Sequence, residues 1–380
     1  MSSTKQNPRV LILTASVGAG HNQAARALIE ALAASAPHAR VERVDVMEWA
    51  PRWFRAYYAG GFALAMTRLP RAYGLGFWFY DRPHAPRRGL IERVRLAYEW
   101  RAMARLRRHL VERQPELIVH THFLAPPIVG RLMRQRQLAC RQAVVLTDII
   151  PHRWWYSREV AQWFAPQEDS TRRLRLWGID PARITHSGMP ILAKWTQPLD
   201  REKIYADWKL PRDKKIVLLT GGTEFTCGPV VRIAAEILQR RSDACVVVLA
   251  GRNKQLLADL TALGHPAERL TPVPFTDRGQ ELLEVCSLMI TKPGGITTAE
   301  CLAKGTPMVL LRPVPGQEGL NAEFLQRHGA AAIARRFADV APTVADLLSD
   351  PARLAHMAAG AKTLFRYGTP TIAEWIARNA

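Results

Sequence analysis

Cysteine is scarce in this 380-residue chain: there are five, with no CxxC pair and no zinc-like spacing. That pattern excludes a disulfide framework. Cys140, Cys227, Cys245, Cys286 and Cys301 read as buried free thiols of a reducing compartment. Long apolar runs are missing too, since no stretch approaches the roughly 18–20 residues of a spanning helix. The polar start Met1–Pro8 runs into a short strand, with no signal-peptide pattern. Metal-ligand spacings are absent, including any Asp-x-Asp pair for a divalent cation. Acidic residues are in deficit, 33 against 53 Lys and Arg, for a net charge of +20. Such an excess draws nucleic acid, anionic lipid or acidic substrates. No helix-turn-helix, RNA-recognition or zinc pattern accompanies it, which argues against nucleic acid.

What is present is apolar and periodic, with 48% hydrophobic residues. The length suits two domains of about 150–200 residues each. Apolar strands alternate with helical patterns in the first half: Val10–Thr14, Val41–Val46, Leu117–His120, Ala143–Thr147, then short ones near Trp163–Ala165 and Ile184-Thr185. A proline-bounded polar stretch, 190–211, reads as a linker. The alternation then restarts with strands Ile216–Leu219, Cys245–Leu249, Leu270–Val273, Leu288–Ile290 and Met308–Leu311. The class is α/β, two doubly wound Rossmann-like domains with parallel sheets. The expected division is 1–195, 196–355 and a C-terminal helical run 356–380 that packs back on the first domain.

Each half carries a glycine turn between a strand and a helix: Gly18-Ala19-Gly20-His21 and Pro293-Gly294-Gly295. A turn of this kind aims backbone N–H groups and a positive dipole end at an anion. One such site per half suggests that the domains face a central cleft holding something phosphorylated. Gly294, Gly295, Thr297 and Thr298 suit a diphosphate, and Glu300 further along suits a ribose diol. Gln317, Glu318 and Asn321 supply the amide and carboxylate groups that discriminate sugar hydroxyls. Gly221-Gly222, Arg252 and Phe275 are further candidates at strand ends, Phe275 as a stacking surface or as core. His21 is the best general base, because a helix N-terminus keeps an imidazole neutral. Asp148 and His152 lie in a neighbouring strand-end loop, as orienting groups or rival bases. His120, Thr121 and His122 form a third polar cluster.

Aromatic residues crowd 49–80, from Trp49, Trp53 and Tyr57 through Phe62 to Trp78 and Phe79. Arginines follow from Arg82 to Arg113. The combination on helical segments suits the headgroup layer of an anionic membrane, with a solvated helix face as the plainer alternative.

Ser16-Val17-Gly18-Ala19-Gly20-His21 resembles the N-terminal glycine loop of the monogalactosyldiacylglycerol synthase and processive diacylglycerol glucosyltransferase family. Thr121–Leu124, Thr147-Asp148 with His152 and Trp154, Ser187–Ile191, Gly251–Asn253, Lys292–Gly295 leading to Glu300, and Pro315–Glu318 followed by Asn321 resemble further motifs of that family. The likeness runs from about Val10 to Ala332, in the family's order. It implies the two-domain GT-B architecture, shared with the peptidoglycan lipid-intermediate N-acetylglucosaminyltransferase. It further implies an inverting, metal-independent transferase that moves a sugar from a UDP-sugar to a diacylglycerol-type lipid. By that resemblance His21 deprotonates the acceptor and Glu300 holds the ribose. Phe275-Thr276 takes the uracil, Thr297 and Thr298 meet the diphosphate, and Gln317, Glu318 and Asn321 read the sugar. Gly18, Gly20, His122 and Trp154 fall on the acceptor side. Region 49–113 then docks on the cytoplasmic face of an anionic membrane, peripherally. A UDP-sugar epimerase, or another GT-B enzyme with a non-lipid acceptor, is the alternative.

Overall fold

The computed structural model describes residues 9–37, 39–58, 70–81, 89–220, 228–311 and 313–380. Gly221, Gly222, Phe62, Cys227 and Arg312 lie outside the described residues. The chain forms two compact units. The first holds the described residues up to Leu192, with Val314–Gln317 and Arg366–Ala380; the second holds Ala193–Pro313 and Glu318–Phe365.

The sheet of the first unit has the order β2-β1-β3-β4-β5-β6. Its strands are β1 Arg9–Thr14, β2 Arg40–Asp45, β3 Leu117–His120, β4 Arg141–Val145, β5 Gln162–Ala165 and β6 Ile184–His186. Every pairing is parallel, with Val10 opposite both Val41 and Leu117. Parallel strands are covered on both faces and so read as unbroken apolar runs. Successive side chains of β1 separate into two cores, as a period of two requires. Leu11 and Leu13 join Phe54, Leu106 and Ile118 on one face, while Val10 and Ile12 join Leu28, Val119 and Ile376 on the other. Ile376 comes from the last helix, Thr369–Asn379, which lies against the helix Ala19–Ser35. Replacing the fully buried Ile376 by Ala is expected to destabilise this unit by about 2–5 kcal/mol, through lost burial and a residual cavity. Urea unfolding followed by the tryptophan fluorescence of this unit measures it.

The sheet of the second unit has the order β12-β11-β10-β7-β8-β9. Its strands are β7 Lys215–Thr220, β8 Ala244–Gly251, β9 Leu270–Pro274, β10 Leu288–Thr291, β11 Met308–Leu311 and β12 Ala331–Ala334. All pairings are again parallel. One segment differs from the sequence expectation. The stretch 190–211 is more than a linker: it carries the helix Arg201–Asp207, started by the Asp200 carboxylate accepting from the Lys203 N–H at 3.1 Å. Trp208 then ties it down through an indole N–H donated to Glu281 at 2.8 Å. The loop after β11 is short, and the helix Gln317–Arg327 begins already at Gln317.

Strand order reverses once in each sheet, at β1/β3 in the first and at β7/β10 in the second. Connections leave such a point in opposite directions and open a crevice beyond the carboxyl ends of the strands. His21 and Thr121 follow β1 and β3; Gly294-Gly295 follows β10. The glycine turns therefore stand where doubly wound sheets bind ligands.

Candidate active site

In the first unit the helix Ala19–Ser35 starts from Gly18, whose φ of +157° and ψ of 151° suit glycine alone. Nothing lies within 4 Å of where a Cβ would stand there. The first turn has neither a side-chain cap nor an acidic residue, so its N–H groups face outward uncompensated. Asp45, at the end of β2, pins the loop by accepting from the N–H groups of Ser16 at 3.1 Å and Met47 at 2.9 Å. Asn22 closes it, donating to the Ser16 hydroxyl at 3.0 Å and accepting from Thr14 at 3.0 Å.

His21 sits in that first turn, half-buried. Its Nδ1 lies 2.8 Å from the Thr121 carbonyl oxygen and 2.9 Å from the Thr147 hydroxyl. A carbonyl only accepts, so Nδ1 carries the proton and Nε2 the lone pair. Burial lowers the ring's pKa to about 4, against the raising effect of the Thr121 contact, so the imidazole is neutral at ordinary pH. His122 meets it edge-on with centroids 4.5 Å apart. His122 itself accepts the Leu124 N–H at Nδ1, 3.1 Å away, and burial holds its pKa well below the usual range.

Asp148 and His152 lie in the same unit, yet no hydrogen bond among the described residues joins either to His21. Asp148 is buried and accepts from the Trp155 indole at 2.8 Å and from the Gln317 amide. Burial raises its pKa to about 7. His152 Nε2 stands 3.7 Å from that carboxylate. Its ring is enclosed by Phe123, Trp154 and Phe77 at 4.7, 5.6 and 5.8 Å. Burial, with the charges of Arg173 and Arg95, drives its pKa to about 3. Neither group is hydrogen-bonded to His21, whose Nδ1 is met by Thr121 and Thr147. His120 also points elsewhere, its Nε2 3.0 Å from Gln142.

In the second unit Gly294 precedes the helix Gly295–Lys304 and is exposed, with open space where a Cβ would stand. The N–H groups of Gly295, Ile296 and Thr297 have no partner within the helix. Thr298 does not join them, because its buried hydroxyl lies 2.9 Å from the Gly294 and Gly295 carbonyl oxygens. Asn321 is buried and donates to the Pro293 carbonyl at 3.0 Å, fixing the turn from behind rather than facing a ligand with that amide. Glu300 lies further along the same helix, half-buried. Burial raises its pKa to about 8, partly offset by the charge of Lys194. Phe275 is 53% exposed, with the Arg252 guanidinium 5.1 Å from its centroid. Thr276 takes the Arg278 N–H at 3.0 Å. Phe275 is thus a free-standing aromatic face and not core. Glu318 falls in the first turn of the helix Gln317–Arg327.

Thr147 stands in a sequence motif with no role assigned to it and Asp45 went unnoticed, although each is a polar side chain at or just past a strand end. Among the described residues no His, Cys, Asp or Glu cluster is composed to hold a metal ion.

Residues 21–191 match the family model for monogalactosyldiacylglycerol synthase, and residues 216–369 match the glycosyltransferase family 28 C-terminal domain. A Bacillus licheniformis protein, described as a processive diacylglycerol beta-glucosyltransferase, is 29% identical over 367 residues, covering 94% of this chain and 91% of its own length. Solved structures give the same architecture at low identity. Acinetobacter baumannii MurG superposes with a TM-score of 0.61 at 15% identity, covering 98% of this chain and 99% of its own. A protein from Listeria monocytogenes, described as a UDP-N-acetylglucosamine 2-epimerase, gives 0.60 at 16% identity, with 98% and 95% covered. The fold is GT-B: the first part of the chain carries a monogalactosyldiacylglycerol synthase domain and the second a glycosyltransferase family 28 C-terminal domain.

Proposed function

We propose that this glycosyltransferase moves a sugar from a UDP-sugar to the free hydroxyl of a diacylglycerol-type lipid, with inversion at the anomeric carbon. The observation that carries the reading is the neutral His21, held with its Nε2 lone pair available beside a helix N-terminus. His21 takes the acceptor proton as the hydroxyl oxygen attacks the anomeric carbon. The bond to the diphosphate oxygen breaks on the opposite face, and UDP leaves as an anion. The N–H groups of Gly295, Ile296 and Thr297 receive its growing charge, aided by the helix dipole. Glu300 accepts from the ribose hydroxyls, Phe275 stacks on the base with Arg252 behind it, and Gln317 and Glu318 read the sugar. Gly221 and Gly222 belong to this donor set by resemblance. No step calls on a metal.

The lipid acceptor draws support from the surface of the first unit. Ten large apolar side chains are more than half exposed among the described residues, and eight of them fall between Trp53 and Val94: Trp53, Tyr57, Leu75, Trp78, Phe79, Leu90, Ile91 and Val94. Leu75, Trp78 and Phe79 form one stripe of the helix Pro70–Tyr80, and Arg52, Arg55, Arg93 and Arg101 are exposed on the flanking helices. Such stripes bury apolar area in an interface while arginines meet anionic headgroups. No described helix is long and apolar enough to cross a membrane. The place proposed for the protein is peripheral, on the inner face of the cell membrane. Replacing Trp78 and Phe79 by Glu is expected to weaken binding to anionic vesicles at least tenfold, while UDP affinity stays unchanged; co-sedimentation and calorimetry read the two.

The central test incubates the protein with diacylglycerol vesicles and a panel of UDP-sugars, then identifies the lipid products. A glycosylated diacylglycerol is expected. Interconversion of UDP-sugars with no lipid product overturns the reading in favour of an epimerase.

A further inference from the structure

We propose that Thr147 is a positioning residue for His21: its hydroxyl and the Thr121 carbonyl together hold the ring in the form that can accept a proton at Nε2. This rests on His21 being the base. The geometry leaves few choices. Thr147 Oγ1 stands 3.2 Å from the Thr121 carbonyl oxygen and 2.9 Å from His21 Nδ1. With the ring protonated at Nδ1, the Thr147 hydroxyl gives its one proton to the Thr121 carbonyl and turns an oxygen lone pair to the ring, so every group is paired. The Thr121 carbonyl, 2.8 Å from the same nitrogen, presents a second. In the tautomer protonated at Nε2 the Thr147 hydroxyl would have to leave the Thr121 carbonyl and turn its proton to Nδ1, and the Thr121 lone pair would still face that of the nitrogen. Thr147 and Thr121 are both buried, so bulk water does not relieve that repulsion.

The two acceptors come from different chain segments, Thr121 directly after β3 and Thr147 two residues after β4. Together they fix the plane of the ring as well as its proton. The Thr121 hydroxyl ties down the backbone beneath, donating to the His21 carbonyl at 3.1 Å. Histidine bases are commonly oriented by a carboxylate. Here the adjacent carboxylate, Asp148, is turned to Trp155. A neutral hydroxyl and carbonyl set the tautomer without adding a charge that would strengthen the base.

The test reads the free protein and its turnover separately. Nitrogen-15 spectra of histidine-labelled protein, with His21 assigned by its absence in His21→Asn, should show a neutral ring protonated at Nδ1 at pH 7. Thr147→Val should shift the tautomer ratio toward Nε2–H by about tenfold, the change expected for one lost hydrogen bond, and lower kcat several-fold as the ring also loses its fixed plane, with KM for the UDP-sugar and UDP affinity within about twofold. Thr147→Ser should restore both the spectrum and kcat. The proposal is overturned by a wild-type ring protonated at Nε2, by a folded Thr147→Val with full kcat, or by Ser rescuing no better than Val. Full turnover in His21→Ala would instead remove the base assignment and leave the tautomer measurement standing.

Discussion

Replacing His21 by Ala is expected to lower kcat by about 100- to 10,000-fold, the range over which a positioned general base contributes. UDP binding and vesicle binding should both survive. The ring contacts Thr121, Thr147 and His122 at the mouth of the first unit's crevice and fills no core position, so the variant should fold. Three comparisons separate this outcome from a structural effect. His152→Asn, at a buried ring whose pKa is driven to about 3, should act through packing and lower thermal stability with turnover. Asp148→Asn should lower turnover less than His21→Ala, because that carboxylate is engaged by Trp155 and Gln317. The pH profile of kcat should also stay level down to about pH 5. A base whose pKa is lowered to about 4 is unprotonated above that point and is lost only as pH falls through it. A wild-type turnover rate in His21→Ala would move the base elsewhere, with Asp148 the next group to test.

The parts of the molecule legible in its sequence are those decided by short-range physics. Strands of a parallel sheet are buried on both faces, so β1, β3, β7 and β10 stand out as apolar runs ending in turns. The glycine turns are legible for the same reason: the backbone at Gly18 suits glycine alone, and Gly294 leaves open space before a helix N-terminus. The family's motifs then place His21 and the donor loop by order along the chain. Partner choice is a different matter, because it is set by which strand ends become neighbours. Asp148 is next to Thr147 in sequence, yet on successive residues the side chains diverge, and it is Thr147 that meets His21. Thr298 looked like a phosphate ligand, but a threonine one turn into a helix bonds the carbonyls behind it. The helix Arg201–Asp207 hid between prolines, and β12, with its sequence Ala-Ala-Ile-Ala, lacks the β-branched run that marks a strand.

Glu300 provides the largest expected effect on the donor side. A carboxylate that accepts from both hydroxyls of a ribose makes two charge-assisted bonds, each of about 1.5–3 kcal/mol in favourable settings. Only the ionised form accepts both. In the free protein burial holds this carboxyl largely protonated below its pKa of about 8. Ligand binding therefore draws off a proton, and UDP affinity should climb as pH rises from about 7 through 8 and level off above it. The sign follows from the raised pKa: the competent form gains population with pH, and acid removes it. Glu300→Gln keeps the shape and one acceptor, so UDP should bind about 10- to 100-fold more weakly at pH 8.5, with the pH dependence gone. Titration calorimetry in buffers of different ionisation enthalpy measures affinity and proton release together. A wild-type affinity that falls with rising pH over this range, or a Gln variant as tight as wild type, would detach Glu300 from the ribose. At saturating donor the kcat profile is governed by His21 alone, so the two groups leave separate signatures: one near pH 4 in kcat, the other near pH 8 in kcat/KM for the UDP-sugar.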